Sequence, residues 1–334
     1  MSLSCLDPVR IRHGEDYIYV PCGHCRACSY NKQADWATRL SFEAKSYPKQ
    51  SVLFLGLSYN DEHLPENQSL YKRDVQLFFK RLRKFIAPRK CRFFMAGEYG
   101  EKHNRPHYHV ILFGVTRADL KLFSDFYSCK LKGTVAFSRL WCDREGSPIG
   151  RVTIQDINPV HFAYVAKYST KKYHGQLGEA YEDYFGRIPE FIQMSRRPGI
   201  GRESCEERAD RLRRDGAIWI KPGVYKALPR YFINILFPDK DDLGYKEWHE
   251  KRVQYALDRD LEWSKKNAHL DPFEARELKK LQILRKIESM ERKKYGYVKK
   301  SFEDILAECL ERSAFERFKS VFERMLHASD EGSV

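Results

Sequence analysis

The chain has 334 residues, with 60 lysines and arginines against 46 aspartates and glutamates, for a formal net charge of +14. That balance favours a polyanionic partner over an acidic protein or a neutral metabolite. An apolar content of 42% supports a packed core, and no apolar run approaches the roughly 18–20 residues of a membrane span, Val52–Leu57 being the longest strand-like one. With no basic segment leading into an apolar stretch near the N-terminus, the sequence predicts an intracellular protein with no membrane role, and its length predicts about two domains.

In chain order, residues 1–50 hold a cysteine cluster, Cys22-Gly-His-Cys25-Arg-Ala-Cys28, and then a predicted helix from Ser29 to Tyr47. Trp36, Leu40 and Ala44 recur there at four-residue spacing, and Pro48 ends the pattern. Nine cysteines is an odd number. Tight spacing in a chain without a secretion signal points to metal or free thiols rather than a disulfide framework. A small structural Zn²⁺ site would use Cys22, Cys25 and Cys28, with Cys5 as fourth thiolate or His24 in its place. Cys91, Cys129, Cys142, Cys205 and Cys309 are scattered and read as ordinary residues.

Residues 51–200 alternate strand-like and helical patterns. Val52–Ser58, Cys91–Ala96, His107–Gly114 and Arg151–Gln155 are predicted strands. Ser69–Ile86 is a predicted helix with Val75, Phe78, Phe79 and Leu82 on one face. Thr116-Arg-Ala-Asp119 has the form of a capping box and predicts a helix to about Cys129. A further helix is expected from Pro159 to about Lys172, since proline suits a first helical turn. Residues 201–334 read as helical: Lys246–Lys265, Pro272–Lys293 and Ser301–His327 are long, charged and poor in β-branched residues. The order of elements predicts an α+β fold, an antiparallel central sheet with helices on one face, preceded by the cysteine module and followed by a helical C-terminal region.

The chemistry concentrates in two places. His107-Tyr108-His109 opens a strand-forming run, Val110-Ile-Leu-Phe113. Residues i and i+2 of a strand share a face, about 7 Å apart along the backbone, so two imidazoles can converge on one ion while Tyr108 turns away. Glu98 ends the preceding predicted strand, and the link Gly100–Pro106 is short enough for a hairpin. Its carboxylate would complete a His-His-Glu site, with Glu101 or His103 as substitutes. Imidazoles and a carboxylate with open positions suit Mg²⁺ or Mn²⁺ bridging a phosphate, with Zn²⁺ a further candidate. Second, Tyr164-Val-Ala-Lys167-Tyr168 falls on a predicted helix, where residues four apart share a face. A phenol with a pKa near 10 is a poor nucleophile at neutral pH, and the Lys167 ammonium favours its phenolate and can contact a phosphate oxygen. Neither motif is specific alone. Their conjunction in a basic chain is.

That conjunction resembles the HUH endonucleases, which nick single-stranded DNA and start rolling-circle replication. Val52–Pro65 is similar to the family's first motif, His107-Tyr-His109 to its second and Tyr164-Val-Ala-Lys-Tyr168 to its third. The paired tyrosines resemble the two-tyrosine branch. Pro21–Cys28 followed by Trp36-Ala-Thr-Arg39 is similar to gokushovirus-type Microviridae initiators in particular. The first motif usually reads Thr-Leu-Thr, whereas Gly56-Leu57-Ser58 stands here.

The resemblance implies an HUH nuclease core over residues 51–200, beside a zinc-binding module over 1–50 and the helical region over 201–334. It further implies that metal-assisted attack by Tyr164 or Tyr168 forms a 5′-phosphotyrosine and frees a 3′-hydroxyl, and that reverse attack rejoins ends. It implies a single-stranded DNA origin as partner, in the cytoplasm of an infected bacterial host, with a host helicase or polymerase as a further candidate. Lys80, Arg81, Arg83, Lys84, Lys171 and Lys172 are candidate phosphate contacts, and Phe93, Phe94, Tyr99 and Tyr108 candidate stacking residues. Two rival readings are a zinc-containing packaging or regulatory protein without catalysis, and a metal hydrolase using activated water.

Overall fold

A computed structural model describes residues 3–100, 103–170 and 186–295. The chain divides into two compact units, one made of Leu3 and Ser29–Lys266 and the other of Ser4–Cys28 with the chain from Asn267.

The first unit is built on a seven-stranded sheet. Its strands are β3 (Val52–Ser58), β4 (Arg92–Tyr99), β5 (Pro106–Phe113), β6 (Leu122–Ser128), β7 (Gly133–Ser138), β8 (Val152–Asp156) and β9 (Phe191–Met194). They lie in the order β6-β7-β8-β3-β5-β4-β9, and every pairing is antiparallel. The central strands are apolar on both sides, and alternation divides their side chains between two cores. Leu53, Leu55, Leu57, Met95, Tyr108, Val110 and Leu112 meet Val75, Phe78, Phe79, Leu82 and Ile86 of helix α2 (Lys72–Ile86) on one face. Phe54, Phe94, Ala96, Ile111 and Phe113 meet Leu40 of α1 (Arg26–Ala44) and Phe162 and Val165 of α3 (Pro159–Lys167) on the other. The expectation of helices on one face is therefore corrected: both faces are covered, because the unbroken apolar run Val52–Leu55 presents side chains to each side.

Local chemistry fixes most boundaries. The Asn158 side chain accepts from the Val160 and His161 amides at 2.9 and 3.3 Å, His161 Nδ1 accepts from the Asn158 amide at 3.2 Å, and Pro159 fills the first turn. The helix ends at Lys167, short of the expected Lys172, and Tyr168–Thr170 tighten into a 3₁₀ turn. The helix expected after Thr116 is overturned. The capping box forms, but it closes only the 3₁₀ turn Arg117–Leu120; Lys121 then adopts φ 48° and the chain continues as β6. Strand pairing with β7 outweighs the local cap there. The strands β6, β7 and β9 have no counterpart among the predicted ones.

Phe94 and Tyr108 are fully buried and Tyr99 nearly so, while Phe93 stacks on Phe79 at 4.0 Å. These candidates for base stacking are core residues. Further along, Leu212, Phe232 and Leu236 of short helices pack with Phe42, and a long helix runs over Leu243–Lys266.

In the second unit, β1 (Val9–His13) and β2 (Asp16–Val20) form a hairpin ahead of the cysteine cluster. Arg26 Nη2 donates to Glu291 Oε2 at 3.1 Å and Lys280 Nζ lies 3.1 Å from Asp7 Oδ1, both acting on the helix Pro272–Tyr295. The predicted helix Ser301–His327 lies outside the described residues. Among the described residues, no helix is long and apolar enough to cross a membrane.

Candidate metal centre and nucleophile

Strand register assembles the first cluster. Glu98 of β4 stands directly opposite His107 of β5, and Ala96 opposite His109. Glu98, His107 and His109 thus project from the face covered by α1 and α3, while Tyr108 turns to the other core and donates its hydroxyl to the Tyr71 carbonyl at 2.9 Å. The link Gly100–Arg105 closes with the Gly100 amide donating to the Arg105 carbonyl at 3.0 Å. Glu98 Oε1 lies 2.8 Å from Nε2 of both imidazoles, and the carboxylate is 6% exposed.

Burial raises the Glu98 pKa, but the bonds to His107 and His109 outweigh it and hold the carboxyl well below the usual carboxylate range. The two imidazoles diverge. Burial opposes the charge of His107, yet the Glu98 carboxylate overcomes it and raises that pKa, whereas burial dominates at His109 and lowers it.

The donor set fits a divalent cation. One atom from each of Glu98, His107 and His109 lies within 4.8 Å of the others. His107 Nδ1 is 3.1 Å from the Arg105 carbonyl, which fixes the ring and leaves Nε2 as the ligand atom. His109 Nδ1 is buried without a hydrogen-bond partner, so Nε2 is its engaged nitrogen as well. Two nitrogens and a carboxylate with open positions suit Mg²⁺ or Mn²⁺. Of the substitutes, His103 is exposed and Glu101 lies outside the described residues.

Helix α3 lays both tyrosines against this cluster. Tyr164 Oη is 3.2 Å from His109 Nε2. The Tyr168 ring stacks on His109 with centroids 5.6 Å apart, and the two phenol rings meet edge-on at 5.5 Å. They are not equivalent. Tyr164 is half-buried, whereas Tyr168 is 2% exposed, and burial, followed by the Glu98 charge, pushes the Tyr168 phenol far up. Lys167 Nζ lies 5.6 Å from the Tyr168 ring centre.

Sequence reasoning missed the rest of this sheet face. Phe54 stacks on His109 and on His161 of α3, at 5.7 and 4.5 Å. Gly56 pairs with His109 on one side and Thr153 on the other. A β-carbon at Gly56 would collide with Thr153 Oγ1, which itself donates to the Gly56 carbonyl at 3.4 Å. A hydroxyl from β8 therefore fills the place left by glycine in the first motif. Only strand order brings Thr153 there, and no local signal announces it.

The candidate phosphate contacts on α2 are not brought to this cluster. Lys80, Arg81, Arg83 and Lys84 belong to the helix on the opposite sheet face. Arg81 donates to the carbonyls of Leu140, Cys142 and Asp143 at 3.3, 2.8 and 2.8 Å, and Arg83 lies over Phe79 and Phe93. Lys171 and Lys172 lie outside the described residues.

The second cluster gathers Cys5, Cys22, Cys25 and Cys28 within 4.8 Å. Sulfur separations are 3.5 Å for Cys5–Cys22, 3.8 Å for Cys5–Cys25 and 4.0 Å for Cys22–Cys28, close to the ~3.8 Å edge of a tetrahedral Zn–S₄ site. Backbone amides of Leu6, Cys22, Cys25 and Cys28 donate to the sulfurs at 3.3–3.5 Å. Burial opposes ionisation of Cys25, but amides of Cys28 and Leu6 outweigh it and bring the thiol down to about 7, while burial pushes Cys28 up. The donor set fits a closed zinc site, with Cys5 as fourth sulfur.

A family model for replication-associated proteins of the ORF2 kind matches residues 52–173, a span that contains Glu98, His107, His109, Tyr164 and Tyr168. The replication-associated protein ORF2 of Spiroplasma virus 4 is 31% identical over 265 residues, covering 75% of this chain and 79% of the relative. The replication-associated protein VP4 of Bdellovibrio phage phiMH2K is 28% identical over 69% of this chain and 67% of the relative. ORF4 of Chlamydia phage 1, also a replication-associated protein, is 30% identical over 46% and 38% respectively. No solved structure matches. The extended likeness to the Spiroplasma virus 4 protein, together with the family match over the sheet and α3, makes this chain a member of the ORF2 family of replication-associated proteins.

Proposed function

We propose that the chain is a phage replication initiator that nicks single-stranded DNA at an origin through a tyrosine nucleophile. The observation that carries the reading is the meeting of Glu98, His107 and His109 with the Tyr164 hydroxyl, 3.2 Å from His109 Nε2. A divalent cation held by Glu98, His107 and His109, Mg²⁺ or Mn²⁺, would offset the charge that grows on a phosphodiester during displacement.

Tyr164 Oη attacks phosphorus. The P–O3′ bond breaks, the 5′-phosphate stays on the tyrosine as a phosphodiester, and the departing 3′-oxygen gains a proton to become the hydroxyl a polymerase extends. Attack by a 3′-hydroxyl on that linkage reverses the step and rejoins ends without ATP. Tyr164 acts first because its phenol is half-exposed, whereas Tyr168 is sealed and its phenol held protonated by burial. Tyr168 serves the second transfer after the chain shifts. Lys167 steadies phosphate or phenolate. The names of the relatives support a setting in phage DNA replication, hence in the host cytoplasm, and Cys5, Cys22, Cys25 and Cys28 hold a structural zinc ion.

Incubation with end-labelled single-stranded origin DNA and Mg²⁺ or Mn²⁺ should give a covalent adduct on a denaturing gel. His107→Ala should lower its yield by at least the order of 10²–10³ that losing a charge-stabilising group costs. Tyr164→Phe should abolish the first adduct, and Tyr168→Phe should retain it. Cleavage without an adduct would establish the water-using hydrolase instead, and binding without cleavage the packaging protein.

A further inference from the structure

The hairpin β1–β2 takes no part in the nicking chemistry. Its two-residue link Gly14-Glu15 turns at Gly14, φ 64°, and its register pairs Arg10 with Tyr19 and Arg12 with Tyr17. Because cross-strand partners share a face, one side of the ribbon consists of Arg10, Arg12, Tyr17 and Tyr19. The other side carries Val9, Ile11, Ile18 and Val20, with the His13–Asp16 pair at its end.

The Arg/Tyr side is open and ordered. Tyr17 is 57% exposed and Tyr19 69%. The Arg10 guanidinium lies 4.3 Å from the centre of the Tyr17 ring, and Arg12 Nε donates to the Gly14 carbonyl at 3.1 Å. Neither arginine is matched by an acid on that side of the strands. Two fixed guanidiniums beside two exposed phenol rings form a surface that takes bases on its rings and phosphates on its cations, without reading sequence. An acidic protein would be served by the arginines alone, and the alternation of charge with aromatic rings favours a polymer that alternates phosphate with base.

We propose that the Arg10/Arg12/Tyr17/Tyr19 face of this hairpin is a second binding surface for single-stranded DNA, outside the nicking centre. The inference rests on the reading of the chain as a DNA-processing protein, but it has its own test.

The test uses the full chain with fluorescein-labelled oligothymidylate, followed by anisotropy, and a duplex of equal length as control. Tyr17→Ala combined with Tyr19→Ala should weaken oligothymidylate binding by on the order of 10–100-fold and duplex binding by far less. The double Tyr→Phe variant keeps both rings and should bind as the parent does, which guards against a folding artefact in the alanine protein. Arg10→Gln combined with Arg12→Gln should flatten the slope of log affinity against log salt by about 1.4, two phosphates at ~0.7 each. Unchanged binding in the alanine variant, or an equal loss on duplex, would overturn the proposal. So would a change of oligomeric state in light scattering without loss of DNA affinity, since the face would then hold another copy of the chain. Parent protein that binds through Tyr17 and Tyr19 yet forms no adduct sinks the nicking reading alone; an adduct-forming parent whose variants bind normally sinks the hairpin alone.

Discussion

Two clusters with metal-ligand character arise in this chain in opposite ways. Cys22, Cys25 and Cys28 are neighbours in sequence, so a single turn entering α1 brings three sulfurs together, and only Cys5 must be recruited across the β1–β2 hairpin. Glu98, His107 and His109 lie on two strands, and their convergence depends on one register: a slip of one residue would turn all three side chains into the opposite core. The first kind of site is local and closed, with amides aimed at its sulfurs. The second is long-range, and a nucleophile-bearing helix packs against its open side. Local assembly suits a staple, and sheet-held assembly suits chemistry, because a buried strand holds its ligands to a geometry that a loop would not.

The largest effect that sharpens this contrast should come from the cysteines. Cys25→Ser or Cys28→Ser should weaken zinc by more than the roughly 10–100-fold that an outer-shell loss costs, read by competition with a chromogenic chelator. Zinc retained in full by both variants would leave the cluster as free thiols. The sheet site should be sensitive instead to packing beside it. Gly56→Ala should lower stability in urea by about 1–3 kcal/mol, since its β-carbon meets Thr153 Oγ1. Adding Thr153→Ala should recover most of that loss, and additive losses would show that the two residues do not compete for one space.

The smallest effect concerns an acid held without any cation-binding imidazole. Asp119 accepts from Arg89 Nη2 and Nη1 at 2.5 and 3.1 Å and from the Thr116 amide at 2.8 Å. The Arg89 guanidinium, ahead of the other contacts, holds its carboxyl at about 2. A depressed carboxyl stabilises the fold above its unfolded value and loses that contribution as pH falls from about 4 toward 2. Asp119→Asn should therefore cost about 1 kcal/mol at neutral pH, and the gap between variant and parent should close in thermal melts across that acid window. A gap that persists below about pH 2 would show that charge is not what Asp119 supplies.

Much of the core was legible because its signals are local. The strand Val52–Ser58 is found with its predicted bounds, and α2 keeps its predicted apolar face of Val75, Phe78, Phe79 and Leu82. Where two local signals competed with a distant partner, the sequence misled. Thr116-Arg-Ala-Asp119 is a genuine cap, yet β7 captures the residues after it. The basic run on α2 looked like a phosphate contact, but Arg81 is spent on three carbonyls and the helix lies across the sheet from the trio.

The sequence by itself determined which residue types lie at chelating spacing: His-x-His with period two, Tyr-x-x-Lys-Tyr with period near four, and thiols three apart. Those periods are properties of the backbone and need no partner. Only tertiary structure decided that Glu98 faces His107, that Thr153 fills the gap over Gly56, that one phenol is sealed and the other open, and that Arg10, Arg12, Tyr17 and Tyr19 share a face. Each of these depends on strand register or packing between segments far apart in the chain, which hydrogen bonding across the sheet fixes and local propensity does not.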